Sequence, residues 1–247
     1  MPQYTIGTFS FWEESAETAI RIASANVPTE AEVSSDDTGE LYDQAHSLTR
    51  FGPVMSISTK AVDYVLAEIG LGGTCVSTSD TITRCDLITR ALQTCKDTFG
   101  ASSHMRHRVT RGLLVLNSLT AERNQDATIS FTLHCFTDGT NAPVAENNAV
   151  ALPTTVVGSR FRLGQCSLGG TELPDLESVT IDFNVSLTDK DPRLGSIWPE
   201  SAGVLTVKPE ITFPGPRSVA GAYGGFPAGG LGHDAREHED SASQAGQ

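Results

Sequence analysis

Basic residues are scarce in this chain of 247 residues: 17 Lys and Arg stand against 30 Asp and Glu, a formal net charge of −13. A groove that grips phosphates does so through many Lys and Arg, so the balance argues against one. An anionic wall past which DNA slides is compatible with it, and so is an acidic surface that simply keeps soluble proteins apart. Aromatic residues are few, at 6%, so the core has a limited supply of large anchors. No apolar run is long enough for a membrane-spanning helix. The opening residues Met1 to Thr5 lack the basic and apolar regions of a secretory signal. The cysteines are Cys75, Cys85, Cys95, Cys135 and Cys166. Their odd number and wide spacing fit neither a disulfide framework nor the close pairs of a zinc site, so reduced thiols are expected. The Gly-rich phosphate and dinucleotide loops and the nucleophile-elbow motif are all missing.

Little of what remains looks catalytic. His104 and His107 form an H-x-x-H pair, but no acid lies between them and no third ligand is evident, so they read as two surface histidines. His134 falls on the polar parity of a strand, and His233 and His238 lie among acids near the C-terminus. Asp36-Asp37 and Asp189-Lys190-Asp191 read as turn carboxylates that bond their own backbone. Arg106, Arg108 and Arg111 form a basic cluster without interleaved aromatics, better suited to ion pairs with an acidic loop of another subunit than to nucleic acid. The expectation is a protein that is not an enzyme, with no cofactor and no metal. An enzyme or metal protein built on His104, His107 and the cysteines stands as the contrary reading. A soluble, monomeric binding module is another.

Along the chain, Tyr4, Ile6, Phe9 and Phe11 suggest an N-terminal strand or arm. Residues 13–25 read as a short helix, with acids in its first turn and Ala19, Ile20 and Ile22 on its apolar side. Residues 13–43 hold nine acids and one arginine, and 27–44 reads as an exposed acidic loop. Residues 52–60 suggest a strand. Val62, Val65, Leu66 and Ile69 recur at helical spacing before Gly70, and 86–95 also reads as a helix, with Asp86 as its cap. From about residue 105 the pattern turns to strands. Ala127 to Cys135 alternates apolar and polar, Asp138-Gly139 marks a turn, Arg160 to Leu163 alternates, and Glu177 to Leu187 alternates throughout. Leu205, Val207, Ile211 and Phe213 continue the pattern, with Pro209 marking an edge or a bulge. The expected organisation is an arm, short helix and acidic loop over 1–48, a β-rich domain over 49–213, and a flexible Gly-rich acidic tail over 214–247.

Several pieces then occur in a telling order. They are Ala61-Val-Asp-Tyr-Val-Leu-Ala-Glu-Ile-Gly70, His107 to Ala121 with its Gly112-Leu-Leu core, Asn124 to Phe131 leading into Thr137-Asp-Gly139-Thr-Asn141-Ala-Pro143, and Arg162 to Gly170. The Glu177 to Leu187 strand and Ile197-Trp198-Pro199 follow. In this order they resemble the major tail tube proteins of long-tailed double-stranded DNA bacteriophages, over roughly residues 50–213. Asn184 stands where that pattern often has Gly, and the acidic loop and Gly-rich tail have no counterpart in it.

The resemblance implies a mainly β fold, a β-sandwich or barrel with one or two flanking α-helices. Subunits would assemble into rings, hexameric by family expectation, with a continuous inner β-barrel. Stacked rings would form the conduit for genome ejection. Implied partners are further copies of the chain, tape measure, terminator and baseplate components, and double-stranded DNA passing without specific binding. The place is the virion tail, assembled in the host cytoplasm. A neck, terminator or decoration protein is the alternative. Expected interface residues are Trp198, Pro199, Asp36, Asp37, Glu40, Arg106, Arg108 and Arg111, and Asp182 is a candidate lumen acid.

Overall fold

The computed structural model describes residues 4–26, 29–36, 45–91, 104–168, 171–172, 176–188, 191–192 and 198–213. β1 (Tyr4–Glu13) and β2 (Ala16–Asn26) form a tight hairpin, β3 (Thr29–Asp36) and β4 (Ala45–Thr59) a long one, and α1 (Val62–Ile69) follows. Then come β5 (Gly73–Val76), β6 (Arg84–Ala91), β7 (His104–Val109), β8 (Gly112–Glu122), β9 (Thr128–Cys135) and β10 (Ala145–Val150). The remaining strands are short: β11 (Ser167–Leu168), β12 (Thr171–Glu172), β13 (Ser178–Asp182), β14 (Val185–Leu187), β15 (Asp191–Pro192), β16 (Pro199–Ser201), β17 (Val204–Val207) and β18 (Glu210–Thr212). The fold is therefore mainly β, with one helix among the described residues.

Twelve strands join one sheet in the order β10-β7-β6-β1-β2-β4-β9-β8-β13-β18, with β3 paired to β4 and β5 to β8. The path does not close on itself, and β10 and β18 are its ends. It does curl. Phe9 on β1 and Phe131 on β9 are three strands apart, about 14 Å in a flat sheet, yet their ring centroids lie 5.2 Å apart in an edge-on contact. Phe11 completes the aromatic cluster, 5.0 Å from Phe9. Ile20, Met55, Ile57, Leu87, Leu114, Leu116, Ile129 and Leu133 pack with the three rings. α1 contributes Val62, Val65 and Ile69 to the same core, its helical spacing being what brings all three to one side. Gly70, at φ 71, ends the helix in a conformation that favours glycine. A smaller cluster of Leu113, Val115 and Phe136 lies apart from this core, packed by Val185, Leu187 and Ala202.

The helix over 62–69 and the strands over 104–135 agree with the pattern of the sequence. Other elements differ. Residues 13–25 are not helical: β1 and β2 pair from Gly7↔Ile22 to Glu13↔Ala16, and Glu14 adopts φ 49 in the turn between them. Ile20 and Ile22 lie two apart, which serves a strand as well as a helix, and pairing with Phe9 and Gly7 decides between them. Of the two expectations for the N-terminal segment, strand or arm, the strand holds: Tyr4–Glu13 is β1, an interior part of the sheet between β2 and β6. Residues 86–91 also form a strand. Leu87 and Ile88 are both buried, and a strand buried on both faces has an apolar run that periodicity cannot tell from a helix. Residues 92–95 of that expected helix lie outside the described residues.

The expected loop over 27–44 is overturned where it is described, since Thr29–Asp36 is β3. Arg160 to Leu163 forms no strand; Arg162 makes only an isolated bridge to Asp126. The long strand over 177–187 is broken into β13 and β14, with Asn184 at φ 44 between them, and the two halves join different sheets. Lys208 and Pro209 likewise separate β17 from the edge strand β18. The tail over 214–247 lies outside the described residues.

Candidate assembly surfaces

The β2–β3–β4 region builds a single ribbon. Ala25↔Ile57 and Asn26↔Ser56 pair β2 with β4, and Thr29↔Pro53 and Glu30↔Gly52 continue in the same register to Glu32↔Arg50; a one-residue shift follows before the pairing runs on to Asp36↔Ala45. Residues 54–59 of β4 are flanked on the other side by β9, whereas β3 pairs with β4 alone. The distal half of the ribbon thus extends past the body of the sheet. Asp36 ends β3; Asp37 and Glu40 lie outside the described residues.

A second surface is the face of β1, β2, β6 and β7 opposite the core, which the pairing register lays out as rows. One row is Glu17, Trp12, Arg84; the next is Ala19, Ser10, Asp86, Arg108; the third is Arg21, Thr8, Ile88, Arg106. Directly opposed residues sit about 5 Å apart and share a face. Asp86 is 1% exposed and binds Arg108 through two parallel bonds, Nε to Oδ1 at 2.9 Å and Nη2 to Oδ2 at 3.1 Å. Arg84 Nε stands 3.9 Å from Asp86 Oδ2, and its guanidinium lies 3.6 Å over the Trp12 ring. Burial lowers the Arg84 pKa from its ordinary value, and the charges of Arg108 and Arg106 lower it further. The hydrogen bond to Asp86 raises that of Arg108. Arg108 therefore holds the buried carboxylate, with Arg84 beside it and Arg106 one row further along, opposite Ile88.

Arg108, expected to reach another subunit, is held within the chain by Asp86. Arg106 is half-buried on the same face, and Arg111 is exposed in the β7–β8 turn, where its carbonyl accepts the Phe136 N–H at 2.9 Å. Trp198 is half-buried ahead of β16, and Pro199 is buried, its carbonyl accepting the Thr137 N–H at 2.9 Å. Asp182 is half-buried and directly opposite Ser118 on one side and Glu210 on the other. The two acids put like charges across the β13–β18 pair. Trp12, Arg84 and Asp86 escape a reading of the sequence made with helices at 13–25 and 86–95. The signal was present in the alternation of Arg84, Asp86 and Ile88 with Cys85, Leu87 and Thr89.

His104 and His107 are not surface histidines. They are 4% and 8% exposed, and His107 Nδ1 lies 3.5 Å from Glu146 Oε1. Burial lowers the His107 pKa, and Glu146 opposes that shift. Cys85 and Cys135 are buried free thiols, Cys166 is half-buried and Cys75 exposed; Cys95 lies outside the described residues. Among the described residues no group of three or more His, Cys, Asp or Glu is placed to hold a metal ion, and no helix is long and apolar enough to cross a membrane.

Glu68 on α1 is half-buried and shares a hydrogen bond with Glu13; burial first, then the Glu13 charge and that bond, raise its pKa above the ordinary carboxylate value. The folded state then holds a proton that the unfolded chain has released, so stability falls as pH rises through the raised pKa. Glu68→Gln is expected to melt higher than wild type at neutral pH, with the gap closing as pH falls into the carboxylate range. Thermal melts at several pH values check this, and a gap that widens towards acid would contradict it.

No protein-family model matches the chain, and no curated protein matches it significantly.

Proposed function

We propose that this chain is a structural virion protein, the major tail tube subunit, which forms stacked and most simply hexameric rings around the path of genome ejection. The observation that carries the reading is the ribbon of β3 and the distal half of β4. A two-stranded ribbon is at best marginally stable alone in water, and this one runs out past the sheet that would support it. Seating on a neighbour supplies that support. The reading places the ribbon between successive rings.

Other features support it. Among the described residues the sheet path ends at β10 and β18, and an open edge invites pairing with another chain. Cyclic assembly uses each edge once and closes the series. Leu71, Leu205 and Ile211 are 72%, 66% and 48% exposed, and such apolar exposure suits surfaces covered on assembly. The segments that carry the resemblance fall on α1, on β7 to β9, on β11, on β13 and β14, and on the start of β16. In this reading Asp182 and Glu210 face a lumen whose negative charge lets DNA pass without adhering. The expected partners are further copies, tape measure, terminator and baseplate proteins, in the virion tail.

Negative-stain electron microscopy of the purified chain across protein and salt concentration tests the proposal. Hollow tubes with a bore of about 20 Å or more, enough for duplex DNA, are the expected result. Assembly that stops at single rings favours a terminator or neck protein instead. A chain that stays monomeric under every condition, including with tail-initiation components added, overturns it.

A further inference from the structure

The arginine face carries more positive charge than it balances. Among the described residues, Arg21, Arg84, Arg106 and Arg108 share it with only Asp86 and Glu17, in a chain whose overall charge is −13. It is also rich in unused polar groups. Thr8 Oγ1, Ser10 Oγ, Trp12 Nε1, Arg84 Nε and Arg106 Nε are buried without a hydrogen-bond partner, and all five belong to this face. Ser10 and Thr8 are 0% and 4% exposed, so the longer side chains lie across them. Buried polar groups in folded proteins are nearly always satisfied. Three of these five atoms are N–H donors, so what the face lacks is acceptors and negative charge.

Asp86 does not provide them: it accepts its two bonds from Arg108, and Arg84 Nε stays 3.9 Å from its Oδ2, beyond hydrogen-bond distance. Arg106 is opposed by Ile88 on one side and Asn147 on the other, neither of them a counter-charge. Its guanidinium is the natural point for an incoming carboxylate.

The chain itself carries a complementary segment. Residues 29–43 contain Glu30, Glu32, Asp36, Asp37, Glu40 and Asp43 and no Lys or Arg. The same molecule cannot deliver it. β2 passes through the arginine face at Ala19, and the ribbon continues from Asn26 through β3 to Asp36, away from that face. Ala19 and Asp36 are seventeen positions apart along it, on the order of 50 Å at strand spacing. Asp36 thus lies far along the ribbon from the face.

We infer that the arginine face centred on Arg106 and Arg84 is the docking site for the acidic tip of the ribbon of a second copy. This rests on the assembly reading above and names its contact. Tip and face are different surfaces, so the contact is head-to-tail and repeats from copy to copy, as an open-ended stack requires. It also revises the expected interface: Arg84 and Trp12 enter beside Arg106, while Arg108 positions the face through Asp86.

The test uses the full chain bearing Asp36→Asn, Asp37→Asn and Glu40→Gln, so that its own tip does not compete. The probe is a fluorescein-labelled peptide of residues 34–44, followed by fluorescence anisotropy. Saturable binding that weakens with salt is expected, with a loss of about tenfold or more on adding Arg106→Gln, as for removal of one partner of an interfacial charge pair. Arg123→Gln, on the β8–β9 turn, should leave it unchanged. Circular dichroism checks that each variant is folded. The inference is overturned if a peptide with its acids replaced by amides binds equally well, or if Arg106→Gln binds like its parent. It is also overturned if a duplex oligonucleotide binds the face and the peptide does not. Wild-type tubes that form unchanged with Arg106→Glu would sink this contact while leaving the tube reading intact. Peptide binding by a chain that never assembles would do the reverse.

Discussion

Deleting residues 28–42 is expected to abolish assembly while leaving the body of the protein folded. Among the described residues β3 pairs with no strand but β4, so its removal breaks no strand pairing with β1, β2 or β9. The residues of β4 that matter to the body, Val54 to Thr59, keep their partners on β9. The aromatic cluster and α1 lie in the core and are untouched. Melting should therefore shift by no more than about 4 °C, the equivalent of roughly 1 kcal/mol for a chain of this size. Tube formation should fall below detection by electron microscopy, since the variant loses both the distal ribbon and most of its acidic segment. Normal tubes from the deleted chain would remove the ribbon from the mechanism. A variant unable to fold would show that the ribbon belongs to the folding unit.

The second large effect is expected at Asp86, and here it is a loss of stability. Asp86→Ala removes the sole buried carboxylate described on the arginine face and leaves Arg84, Arg106 and Arg108 facing one another. Breaking a buried pair by removing one partner costs about 3–5 kcal/mol, because the remaining charge stays buried without compensation. Replacing both partners, as in Asp86→Leu with Arg108→Met, should recover most of that loss, since an apolar pair of similar volume avoids the desolvation penalty altogether.

Asp126 is the natural comparison. It meets Lys60, Arg160 and Arg162 at 3.6, 3.7 and 3.2 Å, but those side chains are 45%, 56% and 67% exposed. Exposed pairs contribute little whatever their number, so Asp126→Ala should unfold close to wild type. Urea titrations of the variants measure the difference directly. A loss at Asp86 no larger than that at Asp126 would mean that water reaches the arginine face and that the charge there is not buried.

The sequence alone determined the mainly β character, the helix over 62–69 and the strands over 104–135, because each has enough residues on one parity or one helical stripe to exclude the other period. It also marked the acidic segment and the Arg106–Arg108 cluster, since charge is legible without coordinates. Tertiary structure decided the rest. Ile20, Ile22, Leu87 and Ile88 suit either period, and only pairing with β1 and β7 makes strands of them. Strand pairing is set by partners distant in sequence, which no local window contains. The same pairing brings Trp12, Arg84, Asp86 and Arg106 from three separate segments onto one face. It also turns 29–36 from a loop into half of a ribbon, because a polar strand whose only partner is its neighbour carries no hydrophobic alternation to announce it.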